Sequence, residues 1–322
     1  MEWLAERSIM GYFGSVRFFK NMILLAVIVM IAVPSGFAVH LRGRLQETEQ
    51  RLAEQQEEQQ ALFSALESPA SPAAEPLPAG DEWPGVNALQ AEFPYQNLYP
   101  DFYAAQELKA NVRETGVIYL TFDDGPSART EEILDILHKK DVKATFFVVG
   151  IQDEAEKAIL RRIVEEGHTL AMHSYSHNYS RIYASVEDYL ADMYQVFSMI
   201  QEATGVTPSL FRFPGGSING YNHGIYQELI AEMLRRGFVP FDWNISSEDA
   251  ATNGLVPAET LSNNVIRGAA KVQRGVVLMH DSAAKVTTVQ ALGLTIDRLR
   301  EQGFTLKALT PEVLPVLYSY KE

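Results

Sequence analysis

Five short stretches of this 322-residue sequence combine residue types that can bind a metal, move a proton or pair a buried charge. Asp123-Asp124-Gly125-Pro126 sets two carboxylates side by side. His173 and His177 stand four apart, Arg212 precedes Phe213-Pro214-Gly215-Gly216, Asp242 precedes Trp243, and His280 precedes Asp281. One carboxylate with two imidazoles leaves coordination positions open, which is the pattern of catalytic zinc and of other divalent sites. Each stretch alone also has a structural reading. Asp-Asp-Gly-Pro suits a turn that opens a helix, with Pro126 in the first turn and acids at the positive end of the dipole. The two histidines could share a helical turn or simply lie on the surface. Arg212 fits a surface salt bridge, Trp243 a core, Asp242 and Asp281 caps, and His280 a satisfied core imidazole.

Position sets these residues apart. From Val117 onward, apolar, β-branched or aromatic runs at 117–122, 144–149, 169–172, 210–213, 239–243, 276–279 and 305–309 alternate with helical patterns. Those patterns cover 130–140, 154–166, 186–204, 226–236, 258–272 and 286–302. Seven strands with intervening helices predict parallel β/α architecture, and this length suits an incomplete barrel better than an open sheet. In such a barrel the carboxyl ends of the strands share the face that carries the chemistry. The five stretches all stand at strand ends, so the architecture brings them together. His40, His138, His168 and His223 have no comparable company and receive no role.

Composition narrows the chemistry and divides the chain. There is no cysteine, which excludes disulfides, a thiolate nucleophile and Cys-ligated metal. With 27 basic against 41 acidic side chains, the chain lacks the basic face of a nucleic-acid binder. Residues 22–39 carry no charge, and as a helix would extend about 27 Å against a hydrocarbon core of about 30 Å. They read as a transmembrane anchor over 22–40, or as a signal segment ending near Pro34, Gly36 and Ala38. Residues 40–82 hold nine acidic and three basic side chains. Within them, 41–67 has a heptad stripe interrupted by Gln55 and Gln59, which reads as a solvated helical stalk more than a coiled coil that weakly pairs two copies. Residues 68–82 form a Pro-rich linker. The expected order is a cytoplasmic N-terminus (1–21), anchor, stalk, linker, an extension over 83–114 and a catalytic domain over 115–322.

TFDDG, HSYSH, RFPGG, FDW and LMHD, in that order and each at a strand end, resemble the five motifs of the polysaccharide deacetylases of carbohydrate esterase family 4, the NodB homology domain. The similarity covers about residues 115–310 and implies an α/β fold, a distorted (β/α)7 barrel, preceded here by the transmembrane helix and the helical and Pro-rich stalk. It implies a base at Asp123 and one divalent metal on Asp124, His173 and His177, with zinc first and cobalt, manganese or nickel as alternatives. By the same resemblance Arg212 holds the base, Asp242 supports a catalytic acid at His280, and Trp243 and Leu278 line a pocket for the acetyl methyl group. Gly215 stands where many members carry an aromatic residue. It keeps the backbone N–H that helps bind an oxyanion but lacks the side-chain wall.

The activity implied is metal-dependent removal of N-acetyl groups from a cell-wall polysaccharide, with peptidoglycan first because an exported domain on a tether suits work close to the membrane. Chitin-like oligomers, an N-acetylglucosamine exopolysaccharide and O-acetyl xylan are the alternative substrates. A surface carbohydrate-binding protein without activity would lack a base, a ligand or an acid, and none is missing. A nonhaem iron oxygenase shares the ligand set but leaves the second aspartate, Arg212 and His280 without a purpose.

Overall fold

Eight parallel strands form one curled sheet in the order β5-β4-β3-β2-β1-β7-β6, with β8 also on β1. They are β1 (Val117–Asp123), β2 (Thr145–Val148), β3 (Thr169–Met172), β4 (Leu210–Phe211), β5 (Val239–Pro240), β6 (Ile245–Ser246), β7 (Arg274–His280) and β8 (Thr305–Lys307). The helices between them are α1 (Ala128–Lys140), α2 (Glu154–Glu165), α3 (Tyr179–Ile182), α4 (Val186–Thr204), α5 (Tyr226–Arg235), α6 (Ala258–Ala269) and α7 (Val286–Glu301). This computed structural model describes residues 93–105, 112–151, 153–251 and 255–318. The expected anchor, stalk and linker lie outside the described residues. Among the described residues, no helix is long and apolar enough to cross a membrane.

The expected incomplete (β/α) barrel is present, with eight strands in place of seven. The sheet is a half-barrel whose edge strands β5 and β6 are not paired with each other. The run expected over 239–243 divides into β5 and a turn, and β6 then docks on β7 through Ile245↔Val277 and Ser246↔Leu278. Four of the helices, α1 to α4, begin at a side-chain cap. In α4 the Ser185 hydroxyl accepts from the Asp188 amide at the start, and Gly205, at φ 74°, ends the helix in the left-handed region.

Alternation along the strands separates two apolar clusters. Ile118, Leu120, Phe122, Phe146, Val148, Met172, Val277 and Met279 point outward into a core shared with the helices. Val117, Tyr119, Phe147, Ala171, Leu210, Val239, Phe241 and Val276 fill the inside of the curl. Asp123, His173, Arg212, Leu278 and His280 continue the inward parity at the carboxyl ends of β1, β3, β4 and β7. The hydrophobic pattern that builds the lumen therefore also directs these residues into it.

Residues 93–104 are fastened to the outside of this unit. Phe102 is fully buried, edge-on to Phe197 and tilted against Phe238 with ring centroids 5.0 and 4.8 Å away. Buried Arg236 donates to Glu232 and to the carbonyls of Tyr95, Leu98, Tyr99 and Phe102. Arg236→Ala would leave those carbonyls unpaired and remove one of the two arginines on buried Glu232. A loss of about 3 kcal/mol is expected in urea unfolding, with early proteolytic cutting in 93–104.

Candidate active site

The first motif is shaped by what packs behind it. β1 ends at Asp123, and Asp124 takes a left-handed conformation at φ 72°. A side chain at Gly125 would overlap the Asp281 carboxylate, so the third residue of the motif must be glycine. Asp281 is itself bound into the turn: its amide donates to the Asp123 carbonyl, Thr130 Oγ1 donates to its carboxylate at 2.6 Å, and Ser127 Oγ donates to its carbonyl. Burial pushes the Asp281 carboxyl up to about 7. The first and last motifs thus form one interlocked corner.

The two histidines do not share a helix. His173 follows β3, and His177 lies in a loop at φ 50°. Asp192, from the buried face of α4, holds that loop by accepting from Ser174 Oγ (2.5 Å) and from the amides of Tyr175 and Ser176 (2.7 and 2.9 Å). Nothing local in the sequence marks Asp192 except a carboxylate on an otherwise apolar helix face. The loop brings His173 Nε2 and His177 Nε2 to 3.5 and 3.2 Å from Asp124 Oδ1. All three ligand atoms lie within 4.8 Å of one another. Asp124 Oδ1 is buried with no hydrogen-bond partner, and His173 Nδ1 faces the Arg212 carbonyl at 2.8 Å, which turns its Nε2 lone pair inward. Burial holds the His173 imidazole down at about 3, hence neutral. An orphaned carboxylate oxygen facing two nitrogen atoms fits a divalent cation.

Asp123 and His280 are register partners on β1 and β7, so both face the lumen from adjacent strands. Arg212, wholly buried, donates from Nη1 to Asp123 Oδ1 at 2.7 Å and to Thr121 Oγ1 at 2.8 Å. Burial pushes the Asp123 carboxyl above the ordinary carboxylate range, while Arg212 and then His280 pull against that rise.

The partner of His280 differs from the expectation. Its Nδ1 lies 2.7 Å from Asp249 Oδ1, and its amide donates to Asp249 Oδ2. Asp242 instead accepts from the Ser217 amide (2.8 Å), the Ser217 hydroxyl (2.5 Å) and the Tyr318 amide (2.7 Å). The reason is geometric: Phe241 has the inward parity, so Asp242 does not, whereas the docking of β6 on β7 carries Asp249 beside His280. Thr288 Oγ1 completes the Asp249 site at 2.8 Å. Burial alone would lower the His280 pKa, but the hydrogen bond and charge of Asp249 raise it above the ordinary histidine value. Burial alone would raise Asp249, and the bond to His280 brings it below the ordinary range.

The pocket residues are grouped less tightly. Gly215 is exposed at φ 77°, and its N–H has no hydrogen-bond partner among the described residues. Trp243 lies 5.7 Å from the Arg212 guanidinium carbon and edge-on to Tyr318. Leu278 is half-buried two residues before His280, on the same face.

Residues 110–234 match the polysaccharide deacetylase family. A peptidoglycan-N-acetylglucosamine deacetylase of Bacillus cereus is 35% identical over 205 residues, which span 63% of this chain and 72% of that protein. The chain belongs to the polysaccharide deacetylase family. A putative polysaccharide deacetylase of Bacillus subtilis is 34% identical, across 62% of this chain and 69% of its own. Among solved structures, the catalytic domain of a peptidoglycan N-acetylglucosamine deacetylase from Eubacterium rectale aligns with a TM-score of 0.60 at 36% identity, covering 66% of this chain and 99% of that one. This polysaccharide deacetylase is therefore an enzyme, and the amide-hydrolysing deacetylases among its relatives place it with the hydrolases.

The exchange of Asp242 for Asp249 has a direct check. A raised folded pKa keeps His280 protonated to higher pH. In Asp249→Asn the imidazole signal, followed by NMR, should titrate at lower pH than in the parent, while Asp242→Asn should leave it in place.

Proposed function

We propose that this deacetylase removes the N-acetyl group from an amino sugar of a cell-wall polysaccharide, peptidoglycan first, with one divalent cation, zinc first. The observation that carries the reading is the placement of Asp123 and His280 as register partners beside the cluster of Asp124, His173 and His177. Relatives described as peptidoglycan-N-acetylglucosamine deacetylases support this substrate over chitin-like polymers. One relative is a bifunctional xylanase/deacetylase, so O-acetyl xylan is the comparison substrate.

Hydrolysis of an acetamide needs a proton removed from water and one delivered to the departing amine. Asp124, His173 and His177 would hold the cation, which when bound lowers the pKa of water and polarises a carbonyl oxygen. Asp123 is aimed by Arg212 at Oδ1, which leaves Oδ2 to take the proton as the water oxygen attacks the carbonyl carbon. The unpaired Gly215 N–H is a donor for the charge that develops on the carbonyl oxygen. His280, with Nδ1 facing Asp249, gives its Nε2 proton to the amine as the carbon–nitrogen bond breaks. Acetate and a free amine leave. Trp243 and Leu278 are the proposed walls for the acetyl methyl group.

The same reading assigns residues 22–40 to a membrane anchor with 1–21 on the cytoplasmic side, and 41–82 to a tether that presents 115–322 outside the membrane. The uncharged run at 22–39 and the acidic, Pro-rich stretch after it support this arrangement.

Acetate release from purified peptidoglycan by the full chain tests the reaction. Asp123→Asn and His280→Ala should each lose about 10²- to 10⁴-fold in kcat while retaining metal. His173→Ala and His177→Ala should lose metal, measured by elemental analysis. Base and acid variants that release acetate at the parent rate would refute the roles given to Asp123 and His280. Because His280 acts in its protonated form, the alkaline limb of the rate profile should lie above the ordinary histidine pKa.

A further inference from the structure

The loop that carries His177 continues into a side chain that the reaction above does not use. Tyr179 opens α3 with its ring edge-on to His177 at 5.3 Å between centroids. The ring also covers Gly215: a Cβ there would come 2.8 Å from Tyr179 Cε1 and 3.3 Å from its hydroxyl oxygen. Gly215 has no side chain and a left-handed backbone, and the phenol at the start of α3 takes the space that a side chain there would fill.

The hydroxyl of Tyr179 has no hydrogen-bond partner among the described residues. The neighbouring phenol of Tyr183, by contrast, is engaged and donates to the Pro214 carbonyl at 2.7 Å. The edge-on contact with His177 puts the ring on the site's side of the loop. Beyond it stands Tyr221, 60% exposed, with its ring centroid 5.2 Å from that of Tyr179 and tilted by 60°. Two aromatic faces and one spare donor thus run outward from the reacting groups. Sugars are bound by such surfaces, because their C–H faces lie against rings while their oxygens take hydrogen bonds.

We propose that Tyr179 is a substrate-binding residue whose hydroxyl donates to an oxygen of the N-acetylated sugar being processed, and that Tyr221 receives the next sugar of the polymer. This rests on the proposed function for the identity of the sugar, and it explains how a site with glycine at 215 still has a wall.

Binding and turnover are measured separately, with N-acetylglucosamine dimer and tetramer as probes and the metal-loaded full chain. In the Asp123→Asn background, which holds substrate without turning it over, calorimetry should show tetramer binding weakened about tenfold by Tyr179→Phe. Metal content and Tm should stay at the parent values. Tyr221→Ala should weaken tetramer binding more than dimer binding. Unchanged affinity in Tyr179→Phe overturns the role of its hydroxyl, and equal losses for dimer and tetramer in Tyr221→Ala overturn the second subsite. A chain that binds the tetramer but releases no acetate from peptidoglycan refutes the proposed reaction and leaves the tyrosine comparison decisive. A chain that does not bind the tetramer overturns the tyrosine proposal.

Discussion

Everything at the mouth of the half-barrel depends on one buried guanidinium. Arg212 has no exposed surface, and an unpaired charge there would cost several kcal/mol. It must therefore be met on every side. Nε donates to the Phe241 carbonyl, Nη2 to the Asp242 carbonyl, and Nη1 to Thr121 and Asp123. Phe147 covers its face at 4.1 Å. These bonds join β1 and β4 to the turn between β5 and β6, the place where the sheet fails to close. A requirement for satisfied donors does there what a missing ladder of strand bonds cannot.

The same constraint sets the chemistry. Asp123 can remain in a buried site because Arg212 is beside it, and the fixed fork engages Oδ1 rather than Oδ2. Two further carboxylates around the site are used for positioning. Asp192 shapes the loop between His173 and His177 through three donors, and Asp249 orients His280 and raises its pKa. Asp242, freed from that task, pins Ser217 and the C-terminal segment at Tyr318. Each buried acid has a specific set of donors, and the motifs keep their places because these sets do not overlap.

Close approach of backbones explains the glycines that matter. At Gly125 the Asp281 carboxylate fills the position of a side chain, which locks the first and last motifs together. At Gly215 the occupant is Tyr179, from the segment that follows His177. In both places glycine leaves room for a neighbouring side chain.

The strand ends, the clustering of Asp124, His173 and His177 and the place of Arg212 beside Asp123 were legible in the sequence. Periodicity of two and the turn residues are local properties, and the motifs follow the strands in order. The separate strand β6 was not legible, because a two-residue strand has too little pattern to show where it docks. Nor could the sequence assign the partner of His280: Asp242 and Asp249 are both acids after β5, and only the pairing of β6 with β7 decides which one reaches the imidazole. Asp192 and Tyr179 belong to the same class. Their roles arise from contacts between segments that no spacing along the chain encodes, and which tertiary packing alone brings within hydrogen-bond distance.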